Sequence, residues 1–120
     1  MTTQQLADKL VEYCRTGKFT EAYNELFADD ASSHEMPGLP NADVYGRDNM
    51  HKKSAEWAAE TESLNELTVS DPVVSNGYFA VSMYIDITKK DGTREKADEI
   101  CLYKTANGKI TEERFFYSMG

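Results

Sequence analysis

Between Phe79 and Ile87 every second residue is apolar: Phe79, Val81, Met83, Ile85 and Ile87 alternate with Ala80, Ser82, Tyr84 and Asp86. A period of two puts the first set on one side of a β-strand and the mixed set on the other. A wholly apolar strand face has to be covered, while the mixed face suits solvent or a partner subunit, so the strand belongs to an antiparallel sheet packed on one side only. The first half of the chain supplies the cover. Leu6, Leu10, Val11 and Cys14 recur at helical spacing, with Thr3 as N-cap and Gly17 as stop. Phe19, Ala22, Tyr23, Leu26 and Phe27 make the stripe of a second short helix that Asp29-Asp30 ends, and Arg47 to Glu62 reads as a third, with Met50, Lys53, Ser54 and Trp57 on one face. Ala31 to Met36 predicts a short strand, and Pro37-Gly38-Leu39-Pro40-Asn41 an irregular loop. From Leu64 onward, turn signals at Asn76-Gly77, Asp91-Gly92 and Ala106-Asn107-Gly108 separate strands. Helices followed by four antiparallel strands in a meander define an α+β domain with the helices on one sheet face.

At 120 residues the chain makes one domain, 1–120, long enough for a core. A net charge of -8 argues against nucleic acid and against anionic membrane surfaces. No apolar run approaches the ~20 residues of a membrane span, and Met1-Thr2-Thr3-Gln4-Gln5 shows neither a basic region nor an apolar stretch. Cys14 and Cys101 lie far apart in amphipathic segments, which predicts buried free thiols rather than a disulfide. A cytoplasmic protein is the expectation.

The last third carries the functional hint. Glu99-Ile100-Cys101-Leu102-Tyr103 precedes the turn at Ala106-Asn107-Gly108, and Lys109 to Tyr117 follows it. A two-residue Asn-Gly turn would set Tyr103 opposite Glu112; a three-residue loop with Gly108 in the left-handed region would set it opposite Thr111, with Cys101 opposite Glu113. The second is favoured. It gathers Glu99, Tyr103, Glu113, Phe115 and Tyr117 on one side and leaves Ile100, Leu102, Ile110 and Phe116 as an apolar stripe on the other. A plain turn at Asp91-Gly92 would bring Asp86 onto the face of the glutamates; keeping Asp86 outside requires a bulge or an odd-length loop there.

This order of elements resembles the SnoaL-like branch of the nuclear transport factor 2-like superfamily, the cone-shaped fold shared with ketosteroid isomerases. Gly46 before the third helix, Lys53 and Trp57 on it, Ser33-x-Glu35, Phe79-Ala80-Val81, Glu99-x-x-x-Tyr103 and Gly108-Lys109-Ile110-x-x-Glu113-x-Phe115-x-Tyr117 carry the resemblance. It implies three helices closing a conical cavity over the concave face of a curved sheet, and a homodimer built on the convex face. Among polyketide cyclases of this fold an aspartate acts as acid/base; Asp86, placed on the convex side, departs from that pattern.

The cavity candidates are Glu35, Lys53, Glu99 and Glu113, walled by Trp57, Phe79, Met83, Tyr103, Phe115 and Tyr117. Carboxylates crowded in a low-dielectric pocket cannot all ionise cheaply, so at least one pKa should rise and become useful for moving protons. Glu99 and Glu113 are the acid/base candidates, Tyr103 the oxyanion donor, and Lys53 and Glu35 orienting charges, with Ser33 in reach of Glu35. His34 should face away from Ser33 and Glu35, and neither it nor His51 has a carboxylate at a spacing that suggests a dyad; no metal pattern is present. The expected ligand is a small, mostly apolar molecule, turned over by cofactor-free proton transfer of isomerase, cyclase or dehydratase type. The competing expectation is a non-catalytic binding or scaffold protein.

Overall fold

Thr2, one residue earlier than expected, caps the first helix. Its hydroxyl accepts from Gln5 N at 3.1 Å and the Gln5 side chain accepts from Thr2 N at 2.9 Å, a reciprocal capping box. In the computed structural model, which describes residues 1–118, this helix α1 spans Thr3–Arg15 and buries Leu6, Ala7, Leu10, Val11 and Cys14. Helix α2 (Phe19–Leu26) gives way at Phe27 to strand β1 (Phe27–His34). Asp29 and Asp30 therefore lie inside a strand rather than ending a helix. Phe27 is drawn out of the helix because it pairs with Ile110 in the sheet and is fully buried there; tertiary burial overrides local propensity.

Past the irregular Pro37–Asn41 loop comes a short strand β2 (Asp43–Tyr45), then α3 (Arg47–Glu60), β3 (Thr61–Val69), β4 (Val73–Val74), β5 (Tyr78–Lys89), β6 (Arg94–Ala106) and β7 (Lys109–Tyr117). α3 stops at Glu60, because Thr61 is already extended and paired with Lys89 of β5. One sheet runs in the order β2-β1-β7-β6-β5-β3, with β4 also on β5. The β1–β7 pair is parallel and the others antiparallel. The meander β3, β5, β6, β7 is the expected one. Phe79, Val81, Met83, Cys101, Tyr103 and Ile110 from the sheet join Leu6, Leu10, Leu26 and Met50 from the helices in a single apolar core. Among the described residues no helix is long and apolar enough to cross a membrane.

Two hairpins set which side chains face the helices. Between β6 and β7 the turn is the two-residue form: Ala106 pairs with Lys109, and both Asn107 (φ 53°) and Gly108 (φ 76°) are left-handed, as a type I′ turn requires. The three-residue loop is thereby corrected. What restores the favoured face is a bulge. The register jumps from Thr105–Ile110 to Lys104–Glu112, leaving Thr111 without a partner, so that Tyr103 pairs with Glu113, Cys101 with Phe115 and Glu99 with Tyr117. The Thr111 hydroxyl donates to Lys104 O at 3.3 Å and fastens the bulge. Its second consequence corrects the convex stripe: Ile110 turns inward and is fully buried, leaving Ile100, Leu102 and Phe116 outside. Between β5 and β6 the loop has odd length, closed by Lys89 N donating to Thr93 O at 2.7 Å, with Gly92 at φ 89°. Met83 consequently pairs with Glu99, and Asp86 with Lys96.

Candidate functional site

Between the three helices and the concave sheet face lies a cavity of about 550 Å³. Alternation along β6 and β7 delivers Glu99, Tyr103, Glu113, Phe115 and Tyr117 to it; α3 delivers Met50, Lys53, Ser54 and Trp57 from its one inward face, and α2 adds Phe19 and Tyr23. The rim is aromatic, with Phe19 and Trp57 in edge-to-face contact at 6.5 Å.

Glu113 sits at the buried end. It is 3% exposed, and its Oε1 accepts from the Ser33 hydroxyl at 2.8 Å and the Tyr23 hydroxyl at 3.1 Å. Burial pushes its carboxyl up to about 7, opposed by those two hydroxyls and by Lys53, and assisted by Glu35. Both donors use one oxygen, so Oε2 has no hydrogen-bond partner among the described residues. Its cross-strand neighbour Tyr103 is 2% exposed and lines the cavity, and its hydroxyl also makes no hydrogen bond among the described residues. No buried polar atom there is both sealed from the cavity and unpaired; the free oxygens of Glu113 and Tyr103 therefore reach the cavity space.

Glu99 is the second raised carboxyl. Burial, then repulsion from Glu35, lifts it to about 7, against a weak contact from the Cys101 thiol, whose sulfur is 3.8 Å from Oε1. No lysine or arginine pairs with Glu99 or Glu113 among the described residues. Lys53 is taken by Glu35, at 3.3 Å, and Glu35 also accepts from the Tyr117 hydroxyl at 2.9 Å. Four residues of strand separate Glu99 from Tyr103 and Glu113 in register, about 13 Å of backbone at the usual rise. The two raised carboxyls thus stand at different ends of one cavity.

Of the residues expected to form the site, Glu35, Lys53, Trp57, Met83, Glu99, Tyr103, Glu113, Phe115 and Tyr117 line the cavity. Phe79 does not; it is stacked behind the Tyr103 ring at 4.7 Å and belongs to the core. Ser33 bonds Glu113 rather than Glu35. Tyr23, Phe19 and Cys14 line the cavity unforeseen, because an apolar helical stripe gives no sign of which members face a void. Asp86 is outside, as expected, held by Arg94 through both oxygens at 2.9 and 2.6 Å and by Asn65; the Arg94 guanidinium draws its carboxyl down to about 2.

His34 faces the convex side, but it does have a carboxylate. An Nδ1–H donating to Asp43 Oδ1 at 2.8 Å leaves Nε2 to accept from the Ser32 hydroxyl at 2.9 Å, with Glu112 Oε1 at 3.6 Å. The sequence gives no sign of β2, so the approach of Asp43 was not visible. The order Asp43–His34–Ser32 imitates a nucleophile chain. Ser32 nonetheless lies inside the sheet, paired to Tyr45 on one side and Glu112 on the other. A carboxylate at that position opposes a developing oxyanion, so the chain is a structural clamp holding β2 to β1.

Three helices closing an acid-lined cavity over a curved, mostly antiparallel sheet define the cone-shaped nuclear transport factor 2-like class. Residues 1–117 match the SnoaL-like domain, and the chain belongs to that family. A crystal structure from Mesorhizobium loti, provisionally named a SnoaL-like polyketide cyclase with carbohydrate phosphatase as a second label, is 35% identical, with 98% of this chain and 100% of that one covered and a TM-score of 0.91. A provisionally named SnoaL-like polyketide cyclase from Jannaschia sp. CCS1 has 15% identity over 98% and 88% of the chains, TM-score 0.77. A ketosteroid isomerase-like fold from Catenulispora acidiphila DSM 44928, in complex with trimethylamine, has 19% identity over 98% and 88%, TM-score 0.76. The last two speak to fold alone. No curated protein matches the chain.

Proposed function

We propose that this chain binds a small, mostly apolar molecule in the cavity and moves a proton on it without a cofactor, in the manner of an isomerase, cyclase or dehydratase. One observation carries the reading: two carboxyls, Glu99 and Glu113, share one largely desolvated, aromatic-walled cavity, and neither has a cation in contact among the described residues. A carboxyl poised near neutrality is suited to both giving and taking protons at working pH. Glu113 is the better built of the two, because Ser33 and Tyr23 fix Oε1 and leave Oε2 for the substrate. In the proposed step, Oε2 of ionised Glu113 takes a proton from a carbon next to a carbonyl. The C–H electron pair passes to the carbonyl oxygen, and the Tyr103 hydroxyl donates to that oxygen as charge develops. Return of the proton at another carbon completes an isomerisation; loss of a leaving group completes an elimination.

A phosphate monoester suits the site poorly. Lys53 is engaged by Glu35, and Glu99 and Glu113 would add repulsion to a dianion. Outside the cavity, the apolar convex face supports a homodimer, and the two buried, unpaired thiols fit a reducing, cytoplasmic setting.

Solvent-deuterium exchange into an apolar enolisable ketone such as 2-tetralone, followed by NMR, tests the reaction. The expected result is exchange accelerated by the protein and reduced about 100-fold or more in Glu113→Gln, the usual range for loss of a general base. Saturable binding with no exchange across a ketone panel would turn the reading to a non-catalytic binding protein. Absence of any apolar ligand binding would overturn it altogether.

A further inference from the structure

The cavity has an unbalanced charge inventory. Sharing the cavity with Glu99 are Glu35 from the segment after β1, Lys53 and Trp57 from α3, its cross-strand neighbours Met83 of β5 and Tyr117 of β7, and the exposed Glu95 and Lys96 of β6, with Cys101 two residues on along its own strand. Of the two lysines there, Lys53 is bound to Glu35, whose other oxygen accepts from Tyr117, and Lys96 is exposed and paired across the strands with Asp86. Glu99 is left with a weak thiol contact and a like charge. The surrounding surface is aromatic, and ring faces also attract cations, more strongly where water is excluded. At the far end Tyr103 is almost wholly buried, and its hydroxyl has no acceptor among the described residues. Each end thus lacks a different group: a positive charge at Glu99 and a hydrogen-bond acceptor at Tyr103.

We infer that the molecule this cavity accepts carries a protonated or quaternary nitrogen, seated against Glu99 and the aromatic rim, with its reacting, oxygen-bearing end at Tyr103 and Glu113. This rests on the cavity being a binding site, as proposed above, and adds the chemical class of the ligand. A neutral molecule would desolvate Glu99 further and offer nothing in return. An anion would meet four glutamates and two lysines, of which Lys53 is already occupied by Glu35. A cation lets Glu99 ionise, so its affinity rises with pH as Glu99 loses its proton around pH 7 and levels off above.

The probes are benzyltrimethylammonium and its uncharged carbon isostere neopentylbenzene, which share shape and apolar area. Binding is read by calorimetry and by Trp57 fluorescence at about pH 8 and about pH 5.5. The expected result at pH 8 is an ammonium affinity at least about tenfold above that of the isostere, the scale of one desolvated cation contact. The preference should shrink at pH 5.5, vanish in Glu99→Gln and survive in Glu113→Gln. The pH comparison needs no mutation and so does not depend on a variant folding. Neopentylbenzene binding as well as or better than the ammonium would overturn the inference and leave the cavity reading intact. Preference lost in Glu113→Gln and kept in Glu99→Gln would overturn the assignment to Glu99. If neither probe binds at either pH, the cavity reading and the inference fall together.

Discussion

At Glu113 a carboxyl is kept where carboxyls are costly. Burial raises it to about 7 from an ordinary 4.5, and Glu99 is raised to about 7 as well. The sign follows from proton counting. Below pH 4.5 folded and unfolded chains both hold these protons; between about 4.5 and 7 the unfolded chain releases them first and is stabilised relative to the native state. Each group therefore erodes stability as pH climbs through that window, by about 1–3 kcal/mol once solvent access to Glu99 is allowed for. Denaturant unfolding should find the protein less stable at pH 8 than at pH 5 through this pair. Glu113→Gln keeps an oxygen for Ser33 and Tyr23 while removing the charge. It should gain about 1–2 kcal/mol at pH 8 and almost nothing at pH 4.5. A loss of stability at pH 8 would mean that the carboxylate is satisfied in place, and that the proton-transfer case for it is wrong.

Among the elements, β7 decides the chemistry through one extra residue. Without the bulge at Thr111 a two-residue Asn107-Gly108 turn would aim Glu112, Arg114 and Phe116 into the cavity, in place of Glu113, Phe115 and Tyr117. Deleting Thr111 should close the ladder without moving its register, leaving Lys104 on Glu112 and Tyr103 on Glu113, so the variant should keep the cavity carboxyl and the pH-dependent stability read in denaturant melts. Gly108→Ala probes the same corner. Its φ of 76° strains any side chain, and an added Cβ would stand 3.0 Å from the Met1 backbone nitrogen, so a loss of about 1–2 kcal/mol is expected in a thermal or denaturant melt. This is also where the sequence is least legible. Alternation gives the faces of β5 without ambiguity and the stripes of α1 and α3 nearly so, and the grouping of Glu99, Tyr103 and Glu113 is correct. The turn that produces the grouping is not, because Asn-Gly signals a tight turn but says nothing of a bulge three residues on. β2 escaped for a related reason: three residues at a sheet edge, one of them aspartate, carry no periodicity, and with β2 the His34–Asp43 contact was lost from view.

For the whole molecule, the two sheet faces divide the work. The concave face is spent on the core and cavity, and the convex face is left with a row of side chains that water does not favour. Ser82, Ile100 and Phe116 lie abreast on β5, β6 and β7, with Ile100 and Phe116 50% and 45% exposed in the single chain, and Leu102 adjoining. Charged pairs, Arg114 with Glu112 and Arg94 with Asp86, flank the row. An apolar centre with a charged rim is the anatomy of a protein interface, and a two-fold pairing of identical faces needs only self-complementarity. Sedimentation at micromolar concentration should find a dimer. Phe116→Glu, which places a charge at the centre of the row on the side away from the cavity, should release monomers that stay folded and still bind an apolar ligand. Dissociation accompanied by loss of ligand binding would mean instead that the partner's face supports the cavity, by holding the curvature of β6 and β7 on which Glu99 and Glu113 depend. A wild-type chain that sediments as a monomer at those concentrations would show that these apolar side chains are tolerated in water, and that the cavity works alone.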